Sequence, residues 1–386
     1  MGEDTLSPVQ PILSDHDAGG PEEGVGLCLS GGGYRAMLFH LGVLWRLNEA
    51  GFLPKVNRVS SVSGGSITAA LLGLRWRDLG PDPGGVGTRF AEVVAEPILD
   101  MARRTIDAGS IIKGVLLPGS VSERIEKAYR KHLFGDATLQ DLPDDAAGAP
   151  RFVLNATNVQ TGAIWRFSRP YMADWRVGRV DRPTVPLAKA VAASSAFPPV
   201  LSPTRLELAP GVVRDIPGTD LHRPPFTTRV LLTDGGVYDN LGLETVWKRY
   251  ETVIVSDGGG QMAPDDSPAR DWARHALRVN ALIDDQVRDM RKRQIVGSLE
   301  CGARSGVYWR MRGRFDSYAK RSPRLDCPHG RTLDLAQTPT RLCALPRERR
   351  ERIVNWGYAL CDAGMRTWVD PQLPEPAGFP FPAVKV

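Results

Sequence analysis

Short apolar runs alternate with amphipathic stretches along the first part of the chain. Apolar runs over residues 25–29 and 56–62 predict two buried strands. Between them, residues 34–50 carry apolar side chains at helical spacing, and Gly51 follows as a helix terminator. A second helix is predicted over residues 66–74. This strand–helix–strand–helix order is typical of a parallel sheet with crossover helices.

Later apolar runs extend the predicted sheet. They predict a short helix over residues 187–195 and further strands over residues 152–156, 164–167, 230–233 and 253–256. Residues 75–145 are mostly amphipathic and contain Pro and Gly breaks. We expect that segment to form a helical insertion or cap over the sheet.

A long charged helix is predicted over residues 272–295. Its apolar residues are mixed with three aspartates, so the helix is not strongly one-sided. We expect it to pack on the sheet, and the alternative is that it lies on an anionic membrane surface. The apolar positions concerned are Leu277, Val279, Leu282, Ile283 and Val287.

The chain divides into three parts by composition. Residues 1–23 are polar, rich in Pro and Gly and unlike a secretory signal, which predicts a flexible leader. Residues 24–300 are expected to form the main domain. Residues 301–386 are expected to be a basic extension that packs on the same domain.

Composition limits the class of protein. A chain of 386 residues with 42% hydrophobic and 24% charged residues is typical of a globular protein. The net charge of +5 is unevenly placed, because residues 301–352 contain 13 Lys/Arg against 5 Asp/Glu. This excess indicates either a solvated basic surface or contact with phosphate groups, an anionic membrane or nucleic acid.

Cysteine usage and hydropathy indicate the compartment. Five cysteines without a CxxC pair predict reduced thiols, and the spacing of Cys327, His329 and Cys343 matches no usual zinc site. No apolar run approaches the roughly 18 residues that a membrane-spanning helix needs. We therefore expect a cytoplasmic protein without metal or cofactor, which meets membranes only from their surface.

Ser63 follows the second predicted strand and precedes a predicted helix. The small residues Ser61 and Gly65 on either side permit the sharp turn of a nucleophile elbow, with Ser61 in place of the usual first glycine. The helix start would favour negative charge near the hydroxyl. The other interpretation is a plain Ser-Gly-Gly helix start.

A glycine triplet, Gly31, Gly32 and Gly33, follows the first predicted strand. Because no Cβ stands in the way, its amides can approach an oxygen closely and form an oxyanion hole. The alternative is a nucleotide-binding loop. A phosphate loop ends in Gly-Lys-Ser/Thr, whereas Tyr34 and Arg35 follow here.

A serine nucleophile also needs a base. None of the six histidines lies at a predicted strand end beside a glycine turn, whereas Asp234 and Asp257 both do. A carboxylate that is partly buried there could take the serine proton directly. The alternative for each is a turn aspartate that binds its own backbone.

Together, these elements resemble the patatin-like phospholipase family over about residues 24–260. The triplet with Arg35 is similar to the family's oxyanion motif, Ser63 to its nucleophile elbow, and Asp234 to its Asp-Gly-Gly motif. Further similarity lies in residues 155–158, 194–199 and 237–242. Ala36, in place of a glycine, and Ser61 are small departures from the family pattern.

The resemblance implies a three-layer α/β/α sandwich with a mostly parallel central sheet and a Ser-Asp dyad without histidine. Ser63 is then the nucleophile and Asp234 the proton acceptor, while Asp257 lacks the family's Asn-Leu-Gly continuation. The oxyanion hole would comprise Gly31, Gly32, Gly33 and Arg35, with Arg35 bracing the loop. The supporting positions would be Ser61, Gly64, Gly65, Gly235 and Gly236.

The expected function is that of a lipid acyl hydrolase of phospholipase A, lysophospholipase or carboxylesterase type. Its partner would be a phospholipid or another acyl-ester lipid, with peripheral contact to anionic membrane and no nucleic acid. One alternative is an acyltransferase that uses the same site. The other is a non-catalytic lipid- or partner-binding module.

Overall fold

A computed structural model describes residues 21–107, 121–318 and 325–386. Most of the predicted leader and residues 108–120 of the predicted insertion therefore lie outside the described residues. Ten strands form one sheet: β1 Glu22–Leu29, β2 Arg58–Val62, β3 Arg151–Asn158, β4 Ile164–Phe167, β5 Tyr171–Asp174, β6 Gly178–Asp181, β7 Thr204–Glu207, β8 Arg229–Asp234, β9 Tyr250–Asp257 and β10 Ser305–Arg310.

The helices of the described ranges flank this sheet. Of the predicted insertion, the described residues 75–107 and 121–145 contribute short helical segments, separated by turns. The α-helices are α1 Gly33–Glu49, α2 Gly64–Leu74, α3 Glu96–Met101, α4 Val121–Tyr129, α5 Leu187–Ser194, α6 Gly236–Asp239, α7 Glu244–Trp247, α8 Trp272–Glu300, α9 Phe315–Tyr318, α10 His329–Ala336 and α11 Arg347–Trp368.

The sheet is parallel in one half and antiparallel in the other. Its main order is β10-β9-β1-β2-β3-β4-β5-β6, with β8 paired to β3 and β7 paired to β8. The pairs among β10, β9, β1, β2 and β3 are parallel. Strands β3 to β6 pair antiparallel because short connections lead from each strand to the next. Strand β8 pairs antiparallel with β3 and with β7. The predicted α/β/α class is confirmed, with a mixed sheet in place of a mostly parallel one.

Alternation along the strands creates two apolar layers. In β1, Leu27 and Leu29 belong to the large core, whereas Cys28 belongs to a smaller cluster on the opposite face. In β9, Ile254 and Val255 divide in the same way. Since successive side chains of a strand point to opposite faces, the sheet is covered on both sides, which gives the three layers.

Helix α8 packs on the sheet only near its C-terminal end, so the prediction that it packs there holds for that end alone. Within it only Ile295 is buried, in the smaller cluster with residues of β9. The apolar residues on which the prediction depended, Leu277, Val279, Leu282, Ile283 and Val287, are exposed. The helix is attached through charged side chains instead, as described below. None of the helices in the described ranges combines the length and the hydrophobicity needed to cross a bilayer.

Helices α1 and α11 cross with their backbones in direct contact. A Cβ at Gly42 would overlap the carbonyl oxygen of Val354, and a Cβ at Gly357 would overlap that of Phe39. Beside this crossing, the buried ion pair between Arg46 and Asp362 has an N–O distance of 2.8 Å. The two glycines therefore set the distance between the helices in the largest apolar layer.

We predict that Gly357→Ala lowers the free energy of unfolding by about 2 kcal/mol or more, because the added methyl group forces the helices apart. Gly297→Ala is the matched control, since Gly297 lies in α8 with nothing within 4 Å of the added Cβ. It should stabilise the protein by about 0.5–1 kcal/mol. Urea denaturation of both variants measures the difference. Equal stability of the two variants would contradict a tight crossing.

Candidate active site

Sheet register brings Ser63 and Asp234 together. Strand β2 runs parallel to β3 as far as the pair Val62 and Asn155. The next residue of β3, Ala156, pairs with Asp234 at the end of the antiparallel strand β8. The carboxyl ends of β2 and β8 therefore meet along one edge of β3, and Ser63, directly after Val62, lies where β8 ends.

Ser63 occupies a strained turn between β2 and α2. Its φ of 52° and ψ of −118° are a conformation that side-chain-bearing residues rarely adopt, at a cost of roughly 1–3 kcal/mol. The residue is 8% exposed. Its backbone amide donates to Ser194 Oγ at 3.0 Å. A strained serine at a strand-to-helix turn has the geometry of a nucleophile elbow.

A chain of buried hydroxyls supports this turn. Ser194 Oγ donates to the carbonyl oxygen of Asn155 at 2.6 Å and lies 2.8 Å from Ser66 Oγ. Ser66 Oγ in turn lies 3.1 Å from Ser61 Oγ. Ser61 therefore fits where a glycine was expected, because its hydroxyl joins the network and also donates to the carbonyl oxygen of Val153 at 3.2 Å.

Asp234 is a buried carboxylate with one occupied and one open oxygen. Its Oδ1 accepts the amide of Gly236 at 2.7 Å. Its Oδ2 is buried, and no donor in the described part of the chain has hydrogen-bonding distance and angle to it. Burial raises the pKa of Asp234 to about 7, against the stabilising effects of the Gly236 amide and the Ser63 hydroxyl, and the charge of Asp284 raises it further.

Asp257 is in the opposite situation. Its carboxylate accepts from Tyr308 Oη and from the Gly259 amide, both at 2.9 Å, and it lies 3.6 Å from Lys292 Nζ. Burial alone would raise the pKa of Asp257, but Lys292 and these donors together hold it below its ordinary value. A carboxylate that is stabilised in this way is a weak base, so Asp234 is the better proton acceptor of the two.

His40 has a structural position within α1. Its Nδ1 lies 2.9 Å from Ser256 Oγ, and its Nε2 lies 3.0 Å from the carbonyl oxygen of Ser30. Burial lowers the pKa of His40 to about 4, so the ring is neutral at pH 7. It therefore connects β9 to the residue before the glycine triplet, away from the Ser63 hydroxyl.

The glycine triplet lies against Ser63. A Cβ at Gly31 would be 3.2 Å from Ser63 Cβ, and the Gly31 amide already donates to the carbonyl oxygen of Asn240 at 2.9 Å. The amides of Gly32, Gly33 and Gly64 have no acceptor within the described residues. Helices α1 and α2 begin at Gly33 and Gly64, so both helix N-termini add positive potential beside the serine.

Arg35 braces the triplet from the interior. Its Nη1 donates to the carbonyl oxygens of Ala336 and Thr338, both at 2.8 Å, and its Nε and Nη2 donate to that of Gly258. The guanidinium thus binds backbone oxygens at the end of α10, just after α10 and just after β9. Arg35 therefore braces the loop, as predicted for it, and the candidate oxyanion donors are the amides of Gly32, Gly33 and Gly64.

Other glycines permit backbone segments to touch. A Cβ at Gly64 would overlap the carbonyl oxygen of Gly33, one at Gly65 that of Leu29, and one at Gly235 that of Asn155. Ala36, where a glycine was expected, is accommodated because residue 258 is glycine; a Cβ on Gly258 would lie 2.9 Å from Ala36 Cβ.

Two contributions to the site could not be seen in the sequence. Helix α8 brings Asp284 close enough to Asp234 to affect its pKa and places Arg288 Nη1 2.7 Å from the carbonyl oxygen of Gly260. The segment after α10 closes the other side, where Arg341 O accepts the Tyr34 amide at 3.0 Å. No local motif marks either segment. The only signal was the mixing of charge with apolar residues in α8.

A serine on a strained turn lies beside a carboxylate with a raised pKa, and amides without an acceptor in the described residues lie in the glycine triplet and at the start of α2. Acyl transfer through a serine needs groups of these kinds. Within the described ranges, no three His, Cys, Asp or Glu side chains come together in a way that could hold a metal ion.

Known protein families and structures include matches to this chain. The family model "Patatin-like phospholipase" matches residues 27–247. No curated protein sequence matches the chain. Human GIVD cytosolic phospholipase A2 has a similar structure, with a TM-score of 0.51 and 13% identity over 89% of this chain and 58% of that one.

Two further structures are similar. The same human phospholipase in complex with methyl gamma-linolenyl fluorophosphonate matches with a TM-score of 0.50 and 15% identity, over the same shares of both chains. VipD from Legionella pneumophila matches more loosely, with a TM-score of 0.36 and 17% identity over 88% of this chain and 66% of that one. This chain thus spans less than two thirds of the human phospholipase, and at these identities the likeness concerns the fold.

We predict that Ser63→Gly is more stable than Ser63→Ala by about 1 kcal/mol, because glycine adopts a positive φ without the steric cost that alanine bears. Ser66 in α2 provides the matched pair, since its backbone is helical. There, the glycine variant should be less stable than the alanine variant by about 1 kcal/mol. Thermal unfolding of the four variants measures both differences. The same order at both positions would contradict strain at Ser63.

Proposed function

This chain belongs to the patatin-like phospholipase family, and we propose that it hydrolyses acyl esters of lipids through a dyad of Ser63 and Asp234. The class of substrate comes from the family, whose model covers more than half of the chain. The named residues come from the geometry of the site. Phospholipids, lysophospholipids and simpler carboxylic esters are the candidate substrates.

In the first half of the proposed reaction, Asp234 Oδ2 takes the proton of Ser63 Oγ as this oxygen attacks the ester carbonyl carbon. The amides of Gly32, Gly33 and Gly64, which have no acceptor in the described residues, bind the oxyanion that forms. Asp234 then passes its proton to the leaving alcohol oxygen, and the C–O bond of the ester breaks. The product is an acyl-enzyme on Ser63.

In the second half, water replaces the alcohol. Asp234 takes a proton from water as the water oxygen attacks the acyl carbon, and the same amides hold the second oxyanion. Collapse of this intermediate releases the fatty acid, and Ser63 Oγ recovers the proton from Asp234. If an alcohol or thiol replaced water at this step, the outcome would be acyl transfer.

One observation carries the proposal: Asp234 combines an open, buried Oδ2 with a pKa raised to about 7. A carboxylate at its ordinary pKa is a poor acceptor for a serine proton, whereas one with a pKa near the working pH is effective. Ser63 is the side chain that stabilises the charge of this carboxylate.

All five cysteines are free thiols, which supports a reducing, cytoplasmic location.

We predict that an alkyl fluorophosphonate labels the purified protein at Ser63 and that Ser63→Ala abolishes labelling. The buried Ser168, in the turn before β5, provides a control variant, Ser168→Ala, that should label like the parent protein. Mass spectrometry of the labelled peptide identifies the site. Folded parent protein that takes up no probe would exclude the proposed nucleophile and favour a binding module.

The base is tested in the same series. Asp234→Asn should lower kcat for a p-nitrophenyl acyl ester by about 10²-fold or more, because no group remains to accept the serine proton. Asp257→Asn is isosteric in the same way and should retain most of the activity. The reverse pattern would mean that Asp257 is the base.

The pH dependence of hydrolysis should follow the ionisation of Asp234. Since the base must be deprotonated, kcat/KM should rise with pH through an apparent pKa of about 7. Asp284→Asn removes a negative charge that raises the pKa of Asp234, so it should move this limb to lower pH. Asp285→Asn, a change of the same charge at the neighbouring position, should leave the limb in place. A limb that neither variant moves would contradict the assignment.

A further inference from the structure

Helix α8 carries an apolar stripe on its solvent side. Six residues spaced three or four apart share one side of the helix and are all exposed, with Trp272 84%, Ile283 53% and Met290 65% exposed. This outer stripe consists of Trp272, Ala276, Val279, Ile283, Val287 and Met290. At 1.5 Å per residue it is about 27 Å long.

The side of α8 that faces the protein is charged. Arg291 Nη1 lies 3.7 Å from Asp239 Oδ1, and Lys292 Nζ lies 3.6 Å from Asp257 Oδ2. Residues that are two positions apart in a helix are separated by about 200° around its axis, so Lys292 and Met290 point to opposite sides. A helix on the surface of a globular protein normally has the reverse arrangement, with its apolar side inward.

Exposed apolar residues also lie beside Asp234 of the candidate active site. Phe197 is 60% exposed and follows Ala196, whose carbonyl oxygen accepts the Asp234 amide at 3.0 Å. Val237 is 51% exposed and follows Gly236, whose amide binds Asp234 Oδ1. Val200 belongs to the same loop as Phe197, and Val237 belongs to α6. Beyond α8, this loop and α6, the large exposed apolar residues of the described ranges are Val159, Val212 and Trp368.

We infer that the outer stripe, with Phe197, Val200 and Val237, docks the protein on the surface of the lipid aggregate that holds its substrate. The inference rests on the proposed function, since a lipid acyl hydrolase must reach esters that lie in such a surface. Helix α8 lies in the plane of the lipid surface with its outer stripe among the acyl chains. The ion pairs on the inner side hold it against the end of β9, beside Asp234.

The position of these residues beside the site favours lipid over a second copy of the chain. Arg291 of α8 donates to the carbonyl oxygen of Tyr238, next to Val237, so α8 and α6 are neighbours. A partner helix would cover the outer stripe but would leave Phe197 and Val237 exposed, whereas a lipid surface would cover them together with the stripe. Exposed apolar patches mark surfaces that contact other proteins or membranes, and the position of this one beside a proposed lipid-ester site favours a lipid surface.

Charge contributes little to this docking surface. On the exposed part of α8, Arg274 pairs with Asp271 at 2.6 Å and Arg278 lies 3.8 Å from Asp265. These arginines are partly neutralised within the protein and Arg293 adds one further exposed cation, so apolar insertion carries most of the binding. Attachment should therefore occur on phosphatidylcholine alone and should respond weakly to salt.

The test measures flotation of the protein with phosphatidylcholine vesicles, with and without phosphatidylglycerol. The Ser63→Ala protein is used, so that binding is independent of turnover. Replacing both Ile283 and Met290 by Gln should weaken vesicle binding about tenfold or more, because two apolar side chains no longer enter the lipid. Val212→Gln changes an exposed valine beyond the docking surface and should bind like the parent. Gln is a good helix former, so α8 should be retained.

Activity on two substrates separates this inference from the proposed function. With Ser63 intact, the double Gln variant should lose hydrolysis of vesicle phospholipid and keep that of a dissolved short-chain p-nitrophenyl ester. If the parent hydrolyses neither substrate but its vesicle binding still depends on the outer stripe, the proposed function alone is rejected. Vesicle binding that is absent in the parent, unchanged in the double variant or dependent on phosphatidylglycerol would overturn the docking surface. A dimer that the double variant dissociates, without an effect on vesicles, would assign the stripe to a second copy.

Discussion

The candidate site depends on backbone segments that touch one another at the carboxyl edge of the sheet. Gly64 meets the carbonyl oxygen of Gly33, Gly65 that of Leu29, and Gly235 that of Asn155. A side chain at any of these positions would separate the loops by the width of a methyl group. This close approach brings the serine turn, the glycine triplet and the Asp-Gly-Gly turn into contact, although they lie far apart along the chain.

The geometry of the site is energetically unfavourable, and packing elsewhere in the fold stabilises it. Ser63 holds a strained φ and ψ, and Asp234 is a carboxylate with little compensation for its lost hydration. The tight crossing of α1 and α11 stabilises the layer from which the triplet and Arg35 project. His40 and Arg35 extend this stability to the loop, through Ser30 and Gly258. The rigid interior thus keeps the unfavourable geometry of the buried site in place.

Local patterns predicted the elements well, since strands β1, β2, β3, β8 and β9 and helices α1, α2 and α5 all lie within three residues of their predicted ends. The serine turn and the two Asp-Gly-Gly segments could also be found, because each combines small residues with the end of an apolar run. The choice between Asp234 and Asp257 could not be made from the residues alone. It depends on Lys292 and Tyr308, which reach Asp257 from α8 and β10. Such long-range partners have no signature in the sequence.

Helix α8 shows why a mixed pattern misleads. Apolar residues at helical spacing normally indicate the buried side, and the aspartates and arginines between them looked like the solvated side. The buried acids Asp239 and Asp257 reverse this relation, because they attract Arg291 and Lys292 and so turn the charged side inward. The outer stripe is the necessary consequence of that attachment. Because Asp284 lies on the same helix and affects the pKa of Asp234, the electrostatics of the candidate base and the exposed apolar surface are fixed by one set of ion pairs.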